Sequence, residues 1–465
     1  MTGASQVSAE ADHFSARGAR GRRVLVIGLD GVPYTYVKSL MDAGELPNFR
    51  AIVAEGTLAQ METTLPNVSS VAWATFMTGK NPGKHNIYGF VDRVPRSGKI
   101  FIPTSRDMRS AALWEIVGAS GKRVFAMNVP TTYPPRPVNG IVVGCFLSPS
   151  VEKAAPTQEV ADALKRLRYC VDADSSRAHE DKDAFLSHLD EVFERRIDAM
   201  RYFWNQEPWD FFMAHVMETD RLHHFFWREM EEGHPRFRPA FLDFYRRVDD
   251  LLGEVRTWLD DDTVLVIVSD HGFCSIRQEV YVNRWLQQSG FLDYTNGTPR
   301  SLEDVSPRSV AYSLDPGRIF LNLRGREANG VVAPGSEYER VRDEIAESFA
   351  GLVDPETGEP MVERVVRREE LYEGPCATSA ADLVLAMREG YDPKGAFGTE
   401  TLTFRGDTLV GMHTTPDALL FVEGAHGFVR RPTIADVAPT ILEILGIPTP
   451  PDMDGTTLLD GEGHR

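Results

Sequence analysis

Val264-Leu265-Val266-Ile267-Val268-Ser269-Asp270-His271-Gly272-Phe273 is the stretch on which the fold turns. Its opening residues are apolar and mostly β-branched, and they run straight into an acid, an imidazole and a glycine. A run of that length bounded by turn chemistry predicts a strand buried on both faces. Asp270 and His271 can both ligate a metal, and they stand where the strand gives way to a loop. In open α/β sheets, ligands bind in the crevice beyond the carboxyl ends of the strands. An isolated Asp-His pair reads as well as a turn with a surface histidine, so the rest of the chain has to supply matching ligands.

Two further buried runs do so. The strand starting at Val24 ends on Asp30-Gly31, and the one starting at Phe211 leads to Asp220. His224 lies four residues after Asp220, on the same face if that segment is helical. Gly411-Met412-His413 precedes a last strand at Ala418 to Val422. Three Asp and three His form a hard and borderline donor set suited to two Zn²⁺ or Mn²⁺ ions. A serine is a poor nucleophile until it loses its proton. Ser69 and Ser70 are of N-cap residue types, before a small-residue helix that Gly79 ends. A seryl oxygen there would gain from the helix N-terminus and from metal coordination. Two metals can clamp the attacking and leaving oxygens of an in-line phosphoryl transfer.

Between these strands the chain alternates helix and strand, which predicts an α/β fold with a doubly wound, mostly parallel sheet flanked by helices. Leu186, Leu189, Phe193, Ile197, Met200 and Trp204 mark a packed helix inside a polar helical insertion at about 150–208. Residues 1–22 read as a disordered polar leader, 23–274 as the first part of the core, 275–410 as an inserted lid or cap region, and 411–465 as the last part of the core. Thr433-Ile434-Ala435-Asp436 resembles a capping box with Asp in place of Glu.

Composition narrows the functions. The 465 residues are 42% hydrophobic and 25% charged, as in an ordinary globular protein. A formal net charge of −18 argues against binding a nucleic acid duplex, which needs a basic face. It leaves small anionic substrates open, because bound cations invert the local charge. The four cysteines are scattered, which suggests neither a disulfide framework nor a zinc knuckle. No apolar run reaches membrane-spanning length, and the leader has no apolar signal core, so the expected setting is cytoplasmic with no membrane partner. Neither a P-loop nor a G-x-S-x-G elbow is present.

Taken together and in order, these pieces resemble the type I phosphodiesterase/nucleotide pyrophosphatase branch of the alkaline phosphatase superfamily. The matching stretches are Gly28 to Gly31, Ser69 to His85, Asp220 to His224, Asp270 to Gly272, Gly411 to His413, and the tail from Ile434 to Gly455. The resemblance implies an alkaline phosphatase-like fold and a two-metal hydrolase of phosphate esters, above all phosphodiesters or nucleotide pyrophosphates. It implies a small phosphorylated substrate and two divalent ions, zinc or alternatively manganese. Ser69 would be the nucleophile, passing through a covalent phospho-serine. Asp30, Asp270 and His271, with the Ser69 oxygen, would hold one ion, and Asp220, His224 and His413 the other. Ser70 and His223 are the neighbouring alternatives in register. A phosphomonoesterase, a phosphonate or sulfate ester hydrolase, and an inactive binding module are the rival readings. Where the family has an Asn beyond the nucleophile, this chain has Gly89-Phe90; Lys80 is the substrate-binding candidate to replace it, against a solvated surface lysine. His85, His215 and His426 read as packing or supporting groups, and Trp227 as packing, with stacking on a substrate base as the alternative.

Overall fold

The computed structural model describes residues 22–459 apart from 207, 296 and 298. The leader expected over 1–22 lies, but for Arg22, outside the described residues.

Seven strands form the central sheet: β1 (Arg23–Leu29), β2 (Gly56–Met61), β3 (Val124–Met127), β4 (Gly140–Val143), β5 (Phe211–Val216), β6 (Thr263–Val268) and, after a two-stranded pair β7 (Gly272–Ser275) and β8 (Gly411–Thr414), β9 (Ala418–Glu423). Their order is β2-β9-β6-β1-β5-β3-β4. β6, β1, β5, β3 and β4 run parallel, while β9 is antiparallel to both β6 and β2. The sheet is therefore mixed, in an α/β architecture with helices on both faces. The three strands that end in acids, β6, β1 and β5, are neighbours at its centre.

Alternation along β1 builds the two layers. Leu25, Ile27 and Leu29 pack with helices α1 (Tyr34–Asp42), α2 (Pro47–Val53), α4 (Lys182–Trp204), α5 (Glu218–Glu231) and α6 (Phe237–Trp258). Val24 and Val26 face α3 (Ser69–Thr78) and α7 (Val437–Ile444). Burial of β1, β5 and β6 on both faces is what made them read as unbroken apolar runs. Residues between β7 and β8 build their own apolar cluster over small sheets that include Ala311–Leu314, Arg318–Leu321, Val362–Arg367 and Leu383–Met387. β7 and β8 pair antiparallel, His413 opposite Phe273, so that segment leaves and rejoins the core at one stem. Among the described residues no helix is long and apolar enough to cross a membrane. All four cysteines are unpaired.

Candidate active site and metal centre

The acids arrive from the central strand ends. Asp30 follows β1, Asp270 follows β6, and Asp220 sits in the first turn of α5 behind β5. All three are buried. β7 and β8 bring His271 and His413 together, their rings stacked with centroids 3.6 Å apart. His224 lies one turn beyond Asp220 on α5, as the i,i+4 spacing predicts.

Three histidines share one arrangement. Nδ1 of His224 faces the Gly411 carbonyl at 2.9 Å, Nδ1 of His413 faces the Asn67 carbonyl at 2.8 Å, and Nδ1 of His271 faces the Gly272 carbonyl at 3.0 Å. A carbonyl only accepts, so each Nδ1 carries the hydrogen, and in the neutral ring Nε2 is a bare lone pair. Backbone carbonyls orient metal-ligating histidines in this way. Nε2 of His224 and Nε2 of His413 stand 3.0 Å apart. Both lie near Asp220 Oδ1, at 3.3 and 3.4 Å. Two lone pairs at that distance repel unless a cation sits between them. Four tetrahedral ligands at about 2.0–2.1 Å from zinc are roughly 3.3 Å apart, and these three edges match. Asp220 Oδ1 is buried with no hydrogen-bond partner, as expected of an atom reserved for an ion.

The second group surrounds Ser69. Its Oγ lies 3.2 Å from Asp30 Oδ1 and 3.1 Å from His271 Nε2. His271 Nε2 is 3.3 Å from Asp270 Oδ2 and 3.6 Å from Asp30 Oδ1. Asp270 Oδ2 is also buried and unpartnered, while Oδ1 accepts from the Gly31 amide at 3.0 Å. Gly31 reaches that geometry at φ +67, a region that favours glycine. Ligand atoms of Asp30, Asp220 and His271 lie within 4.8 Å of one another. Asp220 is thus within reach of both groups.

Electrostatics fit the same reading. Burial, then the Asp30 charge, pushes the Asp270 carboxyl well above its usual range. Burial would raise Asp220 as well, but His224 and His413, wherever they carry a proton on Nε2, and the Arg221 guanidinium hold it well below. Burial and the neighbouring His413 bring His271 down to about 3. So many acids in one dry pocket cannot all ionise unaided, and divalent cations would reverse that balance. The donor set, the spacing and the orphaned oxygens fit two metal ions.

Asp30 has a support of its own. Its Oδ2 accepts from Trp73 Nε1 at 2.9 Å and lies 2.8 Å from His215 Nε2, leaving Oδ1 toward Ser69. Thr219 Oγ1 donates to the Asp30 carbonyl at 2.7 Å. A Cβ on Gly28 would come within 2.9 Å of Trp73 and 3.1 Å of His215, so glycine is what lets both approach. Trp73 and Thr219 escaped the sequence reading, although Trp73 stands four residues after Ser69 on one helix, a spacing that puts both on one face.

The neighbouring alternatives in register have different surroundings. Ser70 Oγ is buried without a partner, while Ser69 Oγ meets Asp30 and His271. His223 Nε2 pairs with the Tyr245 hydroxyl at 2.8 Å, and burial brings His223 down to about 3. Two expectations need correction. The N-cap of α3 is Val68, with both serines inside the first turn and no side-chain cap bond; the Val71 amide donates to the Val68 carbonyl at 2.9 Å, and the Ser69 and Ser70 amides are the ones left open. Lys80 is not at the site: it follows Gly79 past the far end of α3, roughly 15 Å along the helix from Ser69, and pairs there with Asp452. Trp227 packs, its Nε1 donating to Glu231 at 3.0 Å and its ring against Tyr36.

Comparison with known proteins bears on this geometry. The type I phosphodiesterase / nucleotide pyrophosphatase family profile matches residues 24–426. Among solved structures the chain is similar to phosphonoacetate hydrolase from Sinorhizobium meliloti 1021, at TM-score 0.62 and 17% identity over 92% of this chain and 97% of that one. It is similar to murine ectonucleotide pyrophosphatase/phosphodiesterase 5 at TM-score 0.54 and 15% identity, covering 94% and 98%. It is also similar to wild-type alkaline phosphatase PafA at TM-score 0.59 and 15% identity, covering 95% and 99%. At such identities these structures speak to the fold. No curated protein sequence matches the chain. The profile match across nearly the whole chain shows that it belongs to the type I phosphodiesterase/nucleotide pyrophosphatase family, metal-dependent hydrolases of phosphate esters in the alkaline phosphatase superfamily.

Proposed function

We propose that this chain hydrolyses phosphodiesters, or the related nucleotide pyrophosphates, through a covalent phospho-Ser69 intermediate. The observation that carries the reading is Ser69 Oγ at the start of α3, in contact with Asp30 Oδ1 and His271 Nε2. Asp30, Asp270, His271 and the Ser69 oxygen would hold one divalent cation, and Asp220, His224 and His413 a second, with zinc favoured over manganese by the imidazole content. Such ions supply Lewis acidity that eases ionisation of the serine and neutralises charge on the phosphoryl and departing oxygens.

The side chains account for the rest. The open first turn of α3 favours an anionic Ser69 Oγ and the phosphoryl oxygens facing it. Trp73 and His215 hold Asp30 so that one oxygen stays turned to the serine. Ser69 Oγ, its proton given up to solvent, attacks phosphorus, an O–P bond forms, and the bond to the departing oxygen breaks; that oxygen takes up a proton and leaves on an alcohol, or leaves on a phosphate when the substrate is a pyrophosphate. Water then cleaves the phosphoserine and restores the hydroxyl.

Charge favours diesters over monoesters. A monoester dianion carries an extra negative charge. Arg221 beside the site is already engaged by Asp220 at 2.9 Å and Asp172 at 2.6 Å, and Lys80 by Asp452. The test is turnover of bis(p-nitrophenyl) phosphate against p-nitrophenyl phosphate and a phosphonate, with metal content measured in the same preparation. Diester hydrolysis that is lost in Ser69→Ala supports the proposal. A faster monoester rate, or a Ser69→Ala variant with undiminished turnover, overturns it.

A further inference from the structure

Arg221 follows Asp220 in the first turn of α5, and its guanidinium borders the site. Nη1 donates to Asp220 Oδ2 at 2.9 Å, while the other oxygen of that carboxylate faces Nε2 of His224 and of His413. Nε and Nη2 donate to the two oxygens of Asp172 at 3.2 and 2.6 Å. The guanidinium also lies over the Phe146 ring, 5.6 Å from its centroid. Among the described residues three of the five N–H groups are thus used, and two are left. The side chain is 19% exposed, so it is not sealed off from a ligand. Resting on the phosphodiesterase reading above, we infer that Arg221 donates to a non-bridging phosphoryl oxygen and that Asp172, by neutralising it, sets how much negative charge the site accepts.

Asp172 is itself held in place. Arg196 on α4 is fully buried and pairs with Glu218, in the same first turn of α5, at 2.7 Å. It also donates to the Val171 carbonyl at 3.3 Å and to the Tyr169 hydroxyl. The segment that carries Asp172 is therefore clamped to the turn that carries Arg221. A planar fork fixed along one edge by a carboxylate presents its remaining N–H groups in a set direction, which is what recognition of an oxyanion needs. Paired in this way, Arg221 offers directed donors with little surplus positive charge. That suits the single charge of a phosphodiester. A monoester dianion gains more from a guanidinium that is not neutralised, so Asp172 works against it.

Dimethyl phosphate, a monoanion, and methyl phosphate, a dianion above about pH 7, isolate the charge. Their binding to the full chain at saturating zinc is followed by ligand-observed NMR titration. Arg221→Ala should weaken both by about tenfold or more, the size of a charge-assisted hydrogen bond. Asp172→Asn keeps the shape and an acceptor for Arg221 but removes one negative charge, and it carries the test if Arg221→Ala does not fold. At roughly 6–7 Å in high dielectric that charge is worth about threefold for each charge on the ligand, so methyl phosphate should gain about threefold relative to dimethyl phosphate. Unchanged affinities in Arg221→Ala, or a loss that further zinc abolishes, would leave Arg221 a support of Asp220 alone and overturn the inference. An unchanged affinity ratio in Asp172→Asn overturns it as well. Bis(p-nitrophenyl) phosphate turnover by the unmodified chain separates the two readings. Turnover with no shift in the ratio removes this inference alone, whereas a shift without turnover removes the diesterase reading and leaves the roles of Arg221 and Asp172 standing.

Discussion

Replacing Trp73 by Phe should weaken metal binding without touching a ligand. Asp30 Oδ2 has two supporting groups, Trp73 Nε1 at 2.9 Å and His215 Nε2 at 2.8 Å. Phe keeps an aromatic ring against Phe76 and His215 but removes one of the two donors. A hydrogen bond to a charged group contributes about 1.5–3 kcal/mol. Loss of an outer support to a metal ligand costs about 10–100-fold in metal affinity, which is the same range. Zinc affinity of Trp73→Phe, read by competition with a chromophoric chelator, should therefore fall about 10–100-fold. The smaller ring also costs packing energy, but that term is present with or without metal. It appears in the melting temperature of the chelator-stripped protein and can be subtracted. His215→Gln, which keeps a donor, should lose less than His215→Ala. If Trp73→Phe binds zinc within about twofold of the unmodified chain, Asp30 is not held by this pair in the way described.

Other outcomes follow from single features. Ser69→Ala should lower phosphodiester turnover by at least about a thousandfold, whereas Ser70→Ala should stay within about tenfold; a reversed ranking in steady-state assays would reassign the nucleophile. Lys80→Ala should leave kcat/KM unchanged and lower stability by about 0–1 kcal/mol, because Asp452 is mostly exposed; a large kcat/KM loss would return Lys80 to the site. Asp382 contributes to acid stability of the inserted segment, with Asp354 and Glu369 also held below the usual range. Burial works against its ionisation, but Arg326, the Leu321 amide and the Tyr338 hydroxyl outweigh it and hold its carboxyl below the usual range. Stability from such a group is complete above the unfolded value of about 3.9 and is lost as pH falls through the lower folded value. Pepsin should accordingly cut within residues 311–394 only below about pH 4. Asp382→Asn should destabilise the chain by roughly 3–5 kcal/mol at neutral pH in denaturant titrations, since Arg326 and Arg368 lose their shared partner.

The parts of this protein legible in its sequence are those where one residue pattern has one physical meaning. Strands buried on both faces read as unbroken apolar runs, and acids at their ends read as ligands because burial leaves a carboxylate little else to do. That is how Asp30, Asp220 and Asp270 were found, and i,i+4 spacing added His224. The direction of β9 was not legible, since Ala-Leu-Leu-Phe-Val looks the same whichever way the strand runs. His223 and His224 could be separated only by what each ring nitrogen meets. Lys80 was misplaced because proximity in sequence to Ser69 becomes distance along a helix. Trp73, His215 and Thr219 converge on Asp30 from three elements, and no local pattern marks that convergence. Asp172 and Arg221 come from separate segments, so their pairing appears only once the chain is folded.

The position of β9 has a consequence for biosynthesis. Among the described strands of the central sheet it emerges last from the ribosome, yet it lies between β2 and β6 rather than at a margin. Until residues 418–423 emerge, the nascent sheet carries two open edges with unpaired backbone groups, an invitation to pair with other chains. Chaperone dependence should therefore be greatest for ribosome-stalled chains ending near residue 410. Such chains hold Asp30, Asp220 and Asp270 but lack His413, so they would be sticky and, on the proposed reading, without one of the donors beside Asp220.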